Sequence, residues 1–158
     1  MNNILMTALQ DQLTMERQNA AIYDALSAAL DVVFWDGSAK FMKASANEER
    51  EHADKFCAYI VDRNGIPAFA LLEGCIVPSG DDLSSYFETA LTREKVTTEA
   101  LKVLYYTAEE AEDPQTCAFL LPFLIEQTES ERQLTDFVMM LKRLDKNGWI
   151  VLDKELGK

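Results

Sequence analysis

Residues 46–56 read ANEEREHADKF, and this stretch holds the one histidine of the chain, His52, among the carboxylates of Glu48, Glu49 and Glu51. On a helix, side chains three and four positions apart share a face. Glu49 and His52 then point the same way, together with Met42, Ser45, Ala53, Phe56 and Ile60. An acid and an imidazole would stand inside an otherwise apolar stripe. A solvated acidic helix face is the plain alternative, because charge runs are usually surface. The decision rests on what the other segments do.

Glycine and proline are few, six and four in 158 residues, and they cluster. Between the clusters lie four long stretches rich in Ala, Leu, Glu, Lys, Met and Gln, which are helix formers. The first runs from about Asn3 to Phe34 and the second from about Ser38, as N-cap, to Asn64, with Gly65 as the C-terminal stop. The third runs from Asp81–Leu83 to about Glu110. The fourth opens on Asp113-Pro114, a cap followed by a first-turn proline, and runs to about Lys146. Short turns join the first pair and the second pair, which predicts two antiparallel hairpins. Residues 66–80, IPAFALLEGCIVPSG, are apolar without helical periodicity and long enough to cross the length of a bundle. The expected fold is all-α: a four-helix bundle of two hairpins with one long crossover, and a short fifth helix from about Val151 to Leu156. No linker marks a second domain, so residues 1–158 are read as one.

The totals narrow the partners. A net charge of −12 sets the chain against nucleic acid and anionic membranes and makes cations its natural partners. No apolar run approaches the roughly 20 residues of a membrane span. The start, MNNILMTALQDQ, has neither a basic region nor a signal-type core, so a cytoplasmic location is expected. Cys57, Cys75 and Cys117 are odd in number and scattered, which suits free thiols.

Each of the four helices carries one polar group in its apolar stripe. Glu16 lies among Leu9, Leu13, Ala20, Tyr23 and Leu30; Glu94 among Phe87, Ala90, Leu91, Leu101 and Tyr105; Gln127 among Leu120, Phe123, Leu124, Leu134 and Val138. An unpaired buried carboxylate loses several kcal/mol of hydration or takes up a proton. Arg50 and Lys95 stand next to these acids in sequence but about 100° around the helix. A bound cation resolves the conflict. Three carboxylates, an imidazole and a carboxamide favour iron or manganese over a thiolate-seeking metal, although zinc also binds such sets. Glu16 and Glu49 stand 33 residues apart, as do Glu94 and Gln127, which suggests a pseudo-twofold bundle around a two-metal centre.

With MER at 15–17, EEREH at 48–52, REK at 93–95 and EQ at 126–127, the sequence resembles the bacterial non-haem ferritins over nearly its whole length. The resemblance implies that Glu16, Glu49 and His52 hold one iron. Glu49 would bridge to a second, held by Glu94 with Gln127 close by, and Tyr23 would stand beside the centre. It further implies an accessory third iron site at Glu48, Glu126 and Glu129, whose fourth ligand falls at Ser130. Haem is not expected, because the methionine that binds it in bacterioferritins falls on Arg50. Pro122 stands inside the fourth helix, where related proteins often have tryptophan. The function implied is iron storage: oxidation of iron(II) by dioxygen or peroxide at a di-iron centre, and mineral kept inside a closed homo-oligomeric cage of 24 subunits. A rubrerythrin-like di-iron peroxidase without storage is the alternative. Its missing second histidine and the absence of a rubredoxin-type cysteine pair weigh against it.

Overall fold

A computed structural model describes residues 2–158. It contains α1 (Asn3–Val32), α2 (Asp36–Asp62), α3 (Leu83–Glu110), α4 (Pro114–Arg143) and α5 (Lys146–Leu156), with no strand among the described residues. Helix α1 packs along α2, α3 along α4, and α1 along α3, as two hairpins require, while α5 lies against α2. Residues 66–80 form no helix. They run beside α1, where the Gln10 side-chain amide donates to the Ile66 carbonyl and accepts from the Ala68 N–H. The Gln18 amide grips Glu73 in the same two-way fashion. No described helix is long and apolar enough to cross a membrane.

The helix ends show where local reading succeeds. Asp113 caps α4 by accepting from the Thr116 N–H at 3.0 Å, with Pro114 behind it as read. It also pairs with Arg63 from the far end of α2, which holds its carboxyl down at about 2. Pro122 lies inside α4, and the helix continues through it although the Ala118 carbonyl has no i+4 donor.

Three boundaries are corrected. Gly65 is not the left-handed residue after α2: Asn64 takes that conformation with φ 61°, and the Gly65 N–H bonds back to the Ile60 carbonyl at 2.8 Å. Asparagine tolerates the left-handed region better than most side chains. Helix α4 stops at Arg143 because Leu144 is extended and Asp145 caps α5, accepting from the Gly148 N–H at 3.0 Å. The fifth helix therefore begins five residues before the expected Val151. Ser38 is not the N-cap of α2, which starts at Asp36 with no side-chain cap of its own. The cap comes from α5 instead. The buried Asp153 carboxylate accepts from the Gly37 N–H, the Ser38 N–H and the Ser38 hydroxyl, the last two at 2.7 Å. A Cβ on Gly37 would lie 1.7 Å from the Asp153 carbonyl oxygen, so glycine is what lets α5 approach. Asp153→Ala leaves those donors buried without an acceptor. It is expected to lower stability by about 1–2 kcal/mol, read as a shift in the denaturant midpoint; an unchanged midpoint would contradict the cap.

The core is in two parts. One apolar cluster gathers Leu26, Leu30, Met42, Phe87, Leu134 and Leu141, among others, toward one end of the bundle. The other gathers Leu5, Leu9, Phe56, Ile60, Leu104 and Leu120 toward the opposite end. Every long helix runs from one cluster to the other. Along each, buried polar residues lie between the clusters: Glu16 and Asn19, Glu49, Glu94 and Thr97, and Gln127.

Candidate metal centre

This polar layer is the place where the four stripes meet. Glu16, Glu49 and His52 each bring a ligand atom to within 4.8 Å of the others. Glu16 is 1% exposed. One of its oxygens accepts from the Gln12 side-chain amide at 2.7 Å, and the other, Oε2, is buried with no hydrogen-bond partner. An orphaned carboxylate oxygen facing a second carboxylate is costly, and a cation between them supplies the missing partner. The donor set, two carboxylates and one imidazole, suits a hard or borderline divalent ion.

His52 bridges the layer and the outside. Its Nδ1 lies 3.6 Å from Glu49 Oε2, and its Nε2 lies 2.8 Å from Glu126 Oε2 on α4. The 2.8 Å contact makes Glu126 the acceptor for a proton on Nε2 and leaves Nδ1, beyond hydrogen-bond range of Glu49, as the nitrogen available to a metal. Glu126 is the orienting partner that local sequence does not reveal.

Glu94 occupies the other half of the layer. Its Oε1 accepts from the Tyr23 hydroxyl, and its Oε2 accepts from the Gln127 side-chain amide at 2.6 Å. Gln127 also reaches the Glu94 carbonyl oxygen at 3.2 Å, so it meets Glu94 as a donor here. Tyr23 is buried beside the layer, and burial, then the Glu94 charge, pushes its hydroxyl well above the ordinary tyrosine value.

Glu48, Glu126 and Glu129 are exposed, and with Ser130 and His52 they line an open cleft of about 400 Å³ outside the layer. Lys55 and Arg132 share its wall. Partial desolvation by the cleft walls is the first cause that raises the Glu48 carboxyl. The structure thus separates the nine expected metal-site residues into a buried set and a cleft set, with His52 belonging to both.

Several members of the layer escaped the sequence reading. Gln12 and Asn19 stand four before and three after Glu16, so the same spacing rule reaches them. Arg93, which the REK motif at 93–95 contains without a role, donates from its Nε to Asn19 Oδ1 on α1. Arg50 instead pairs with Asp24, away from the layer.

Burial raises Glu16 well above the usual carboxylate value, with Glu49 repulsion next, and burial raises Glu49 to about 7. An acid whose pKa is higher folded than unfolded binds protons on folding, so its contribution to stability is full below the unfolded value and is lost as pH climbs through the folded one. For Glu49 that interval runs from 4.5 to about 7. The metal-free protein is expected to lose stability across it, and Glu49→Gln to remove part of the loss. In chelator, the variant should melt above the native chain at about pH 8 and not at about pH 5. An equal difference at both would contradict the burial of an ionisable Glu49.

The family comparison agrees with this architecture. A family model described as the ferritin-like domain matches residues 6–144. The chain belongs to the ferritin family. The bacterial non-heme ferritin of Staphylococcus aureus (strain USA300) is 34% identical over 158 residues, spanning 97% of this chain and 93% of that one. Ferritin-1, chloroplastic, of Brassica napus is 35% identical over 149 residues. This chain covers 88% of itself in that match but only 58% of the plant protein, so it spans less than two thirds of the chloroplastic relative's length. Among solved structures, a novel open pore ferritin from the hyperthermophilic archaeon Archaeoglobus fulgidus superposes with a TM-score of 0.94 at 28% identity, covering 99% of this chain and 98% of that one.

Proposed function

We propose that the chain stores iron: the polar layer binds iron(II) as substrate, oxidises it, and passes iron(III) to a mineral held inside a closed assembly of copies. The observation that carries this reading is the convergence of Glu16, Glu49 and His52 around a buried, partnerless carboxylate oxygen in a chain of the ferritin family. Glu16, Glu49 and His52 Nδ1 take one iron. Glu49 would be shared with a second at Glu94, ions in two-metal sites generally lying about 3.5–4 Å apart. Gln127 and Tyr23 hold Glu94 by its two oxygens, so they fix the second ligand, with Tyr23 next to the reacting pair.

Two iron(II) ions give up one electron each. Dioxygen takes the two electrons and two protons to become hydrogen peroxide, or peroxide takes them to become two waters. Anionic carboxylates favour iron(III) over iron(II), so the ligand set itself assists oxidation. The cleft at Glu48, Glu126 and Glu129 adjoins the centre through His52 and offers the oxidised ion an acidic way out, with Ser130 where a fourth carboxylate would stand. No ligand in the set suggests haem.

Assembly is supported by the crossover, whose Ile66, Phe69, Leu71 and Ile76 expose large apolar side chains along one chain. A shell of 24 subunits is the form the family resemblance implies. One ferritin-like domain over residues 1–158 accounts for both apolar clusters and the layer between them. The free thiols suit a reducing cytoplasm.

Aerobic loading with iron(II) tests the reading. The purified protein should run as a particle of several hundred kilodaltons and accumulate many more than two irons per chain. A small oligomer that turns over peroxide and retains no iron would contradict storage.

A further inference from the structure

Asn19 on α1 is 1% exposed, and its amide is held from three sides. Arg93 Nε on α3 donates to its Oδ1. Its Nδ2 reaches Thr97 Oγ1 at 3.0 Å and Glu49 Oε2 at 3.5 Å. The Thr97 hydroxyl spends its own proton on the Arg93 carbonyl at 3.2 Å, so it accepts from Asn19. A guanidinium has donors only. The amide face turned to Arg93 must therefore be the oxygen, and the donor face must turn to Glu49. Thr97 and Glu49 also call for the donor face, but Arg93 supplies the donor to the oxygen; without it that buried oxygen is orphaned, and the flipped amide, which would aim an oxygen at the Glu49 carboxylate, no longer meets a guanidinium on the other side. Burial keeps water from making the choice in its place.

We propose that Arg93 is a positioning residue of the metal centre, which sets the Asn19 amide so that its N–H steadies Glu49 in the orientation that binds metal. This rests on the reading of Glu49 as a metal ligand. Neither Arg93 nor Asn19 touches the metal. The device joins α1, α2 and α3 across the layer, and among the described residues it uses the one guanidinium that reaches the layer's hydrogen-bond network.

The donating atom makes a sharp test possible. Gln Nε2 lies the same number of bonds from Cα as Arg Nε, so Arg93→Gln keeps a donor at that place without the charge. Arg93→Met keeps an unbranched side chain without the donor. Zinc(II), which is redox-inert, is titrated calorimetrically into the metal-free, assembled protein. Arg93→Met is expected to weaken zinc(II) binding on the order of tenfold, as loss of an outer partner typically does, and Arg93→Gln to recover most of it. In an Asn19→Ala background, Arg93→Met should add no further loss, because the relay is already cut. Equal losses in Arg93→Met and Arg93→Gln, or an undiminished Arg93→Met loss in Asn19→Ala, would overturn the relay. Glu49→Ala separates the two readings. If it loses zinc(II) binding while Arg93→Met does not, the relay alone fails; if it binds as tightly as the native chain, the metal centre fails and the relay with it.

Discussion

Glu49→Ala is expected to abolish rapid iron(II) oxidation, with an initial rate at least roughly a hundredfold below the native chain, since loss of a ligand exceeds the loss of an outer partner. Among the described residues Glu49 lies between the two halves of the layer: its ligand atom is within 4.8 Å of those of Glu16 and His52, and the Asn19 amide that reaches it also bonds Thr97, one turn along α3 from Glu94. On the proposed reading, removing it would strip the ion shared with Glu16 and His52 and cut the bridge to the one at Glu94. Two irons that are no longer held together cannot deliver two electrons in one encounter with the oxidant. The check is a stopped-flow trace at two iron(II) per chain. A rate within a few-fold of native would refute the bridging role, and a normal melting curve would show that the fold is not the cause.

Glu16→Gln should act in opposite directions on stability and function. In the metal-free chain, Glu16 Oε2 is buried without a partner and the carboxyl is pushed well above its ordinary value by burial and by Glu49. A neutral amide keeps the acceptor for Gln12 and presents an N–H toward Glu49. It relieves an unsatisfied buried group, worth about 1–3 kcal/mol, or roughly 2–12 °C in melting temperature for a chain of this size. The variant should therefore melt higher than native in chelator at about pH 8, and zinc(II) should no longer raise its melting temperature as it raises the native one. A variant that melts lower in chelator, or that zinc(II) still stabilises to the native extent, would contradict the orphaned ligand. A residue whose removal stabilises the fold and disables the site is placed for chemistry rather than for packing.

The fold was legible because helix signals are local. Asp113-Pro114 starts α4, the scarcity of glycine and proline frames four long helices, and the spacing of three and four assigns each a buried stripe. That same periodicity exposes a polar residue in the middle of an apolar face, which is why Glu16, Glu49, Glu94 and Gln127 could be named from sequence. What periodicity gives is the face, not what the face meets. Glu126 lies 74 residues from His52, Arg93 lies 74 residues from Asn19, and the acid that caps α2 is 115 residues from Ser38. Ser38 looked like a cap because serine usually is one; its backbone N–H instead needed Asp153, and only the docking of α5 brings that acid near. The end of α4 was misplaced for a related reason. Asp145 starts a new helix, but the apolar pattern runs on across the break through Leu144, Trp149 and Leu152.

The buried layer is expected to receive a pair of iron ions. Crystals soaked anaerobically in iron(II), with diffraction recorded on both sides of the iron absorption edge, test it most directly. Two anomalous peaks about 3.5–4 Å apart are expected, one among Glu16, Glu49 and His52 and the other between Glu49 and Glu94. Iron confined to the exposed acids of the cleft, with no peak beside Glu16 Oε2, would contradict it.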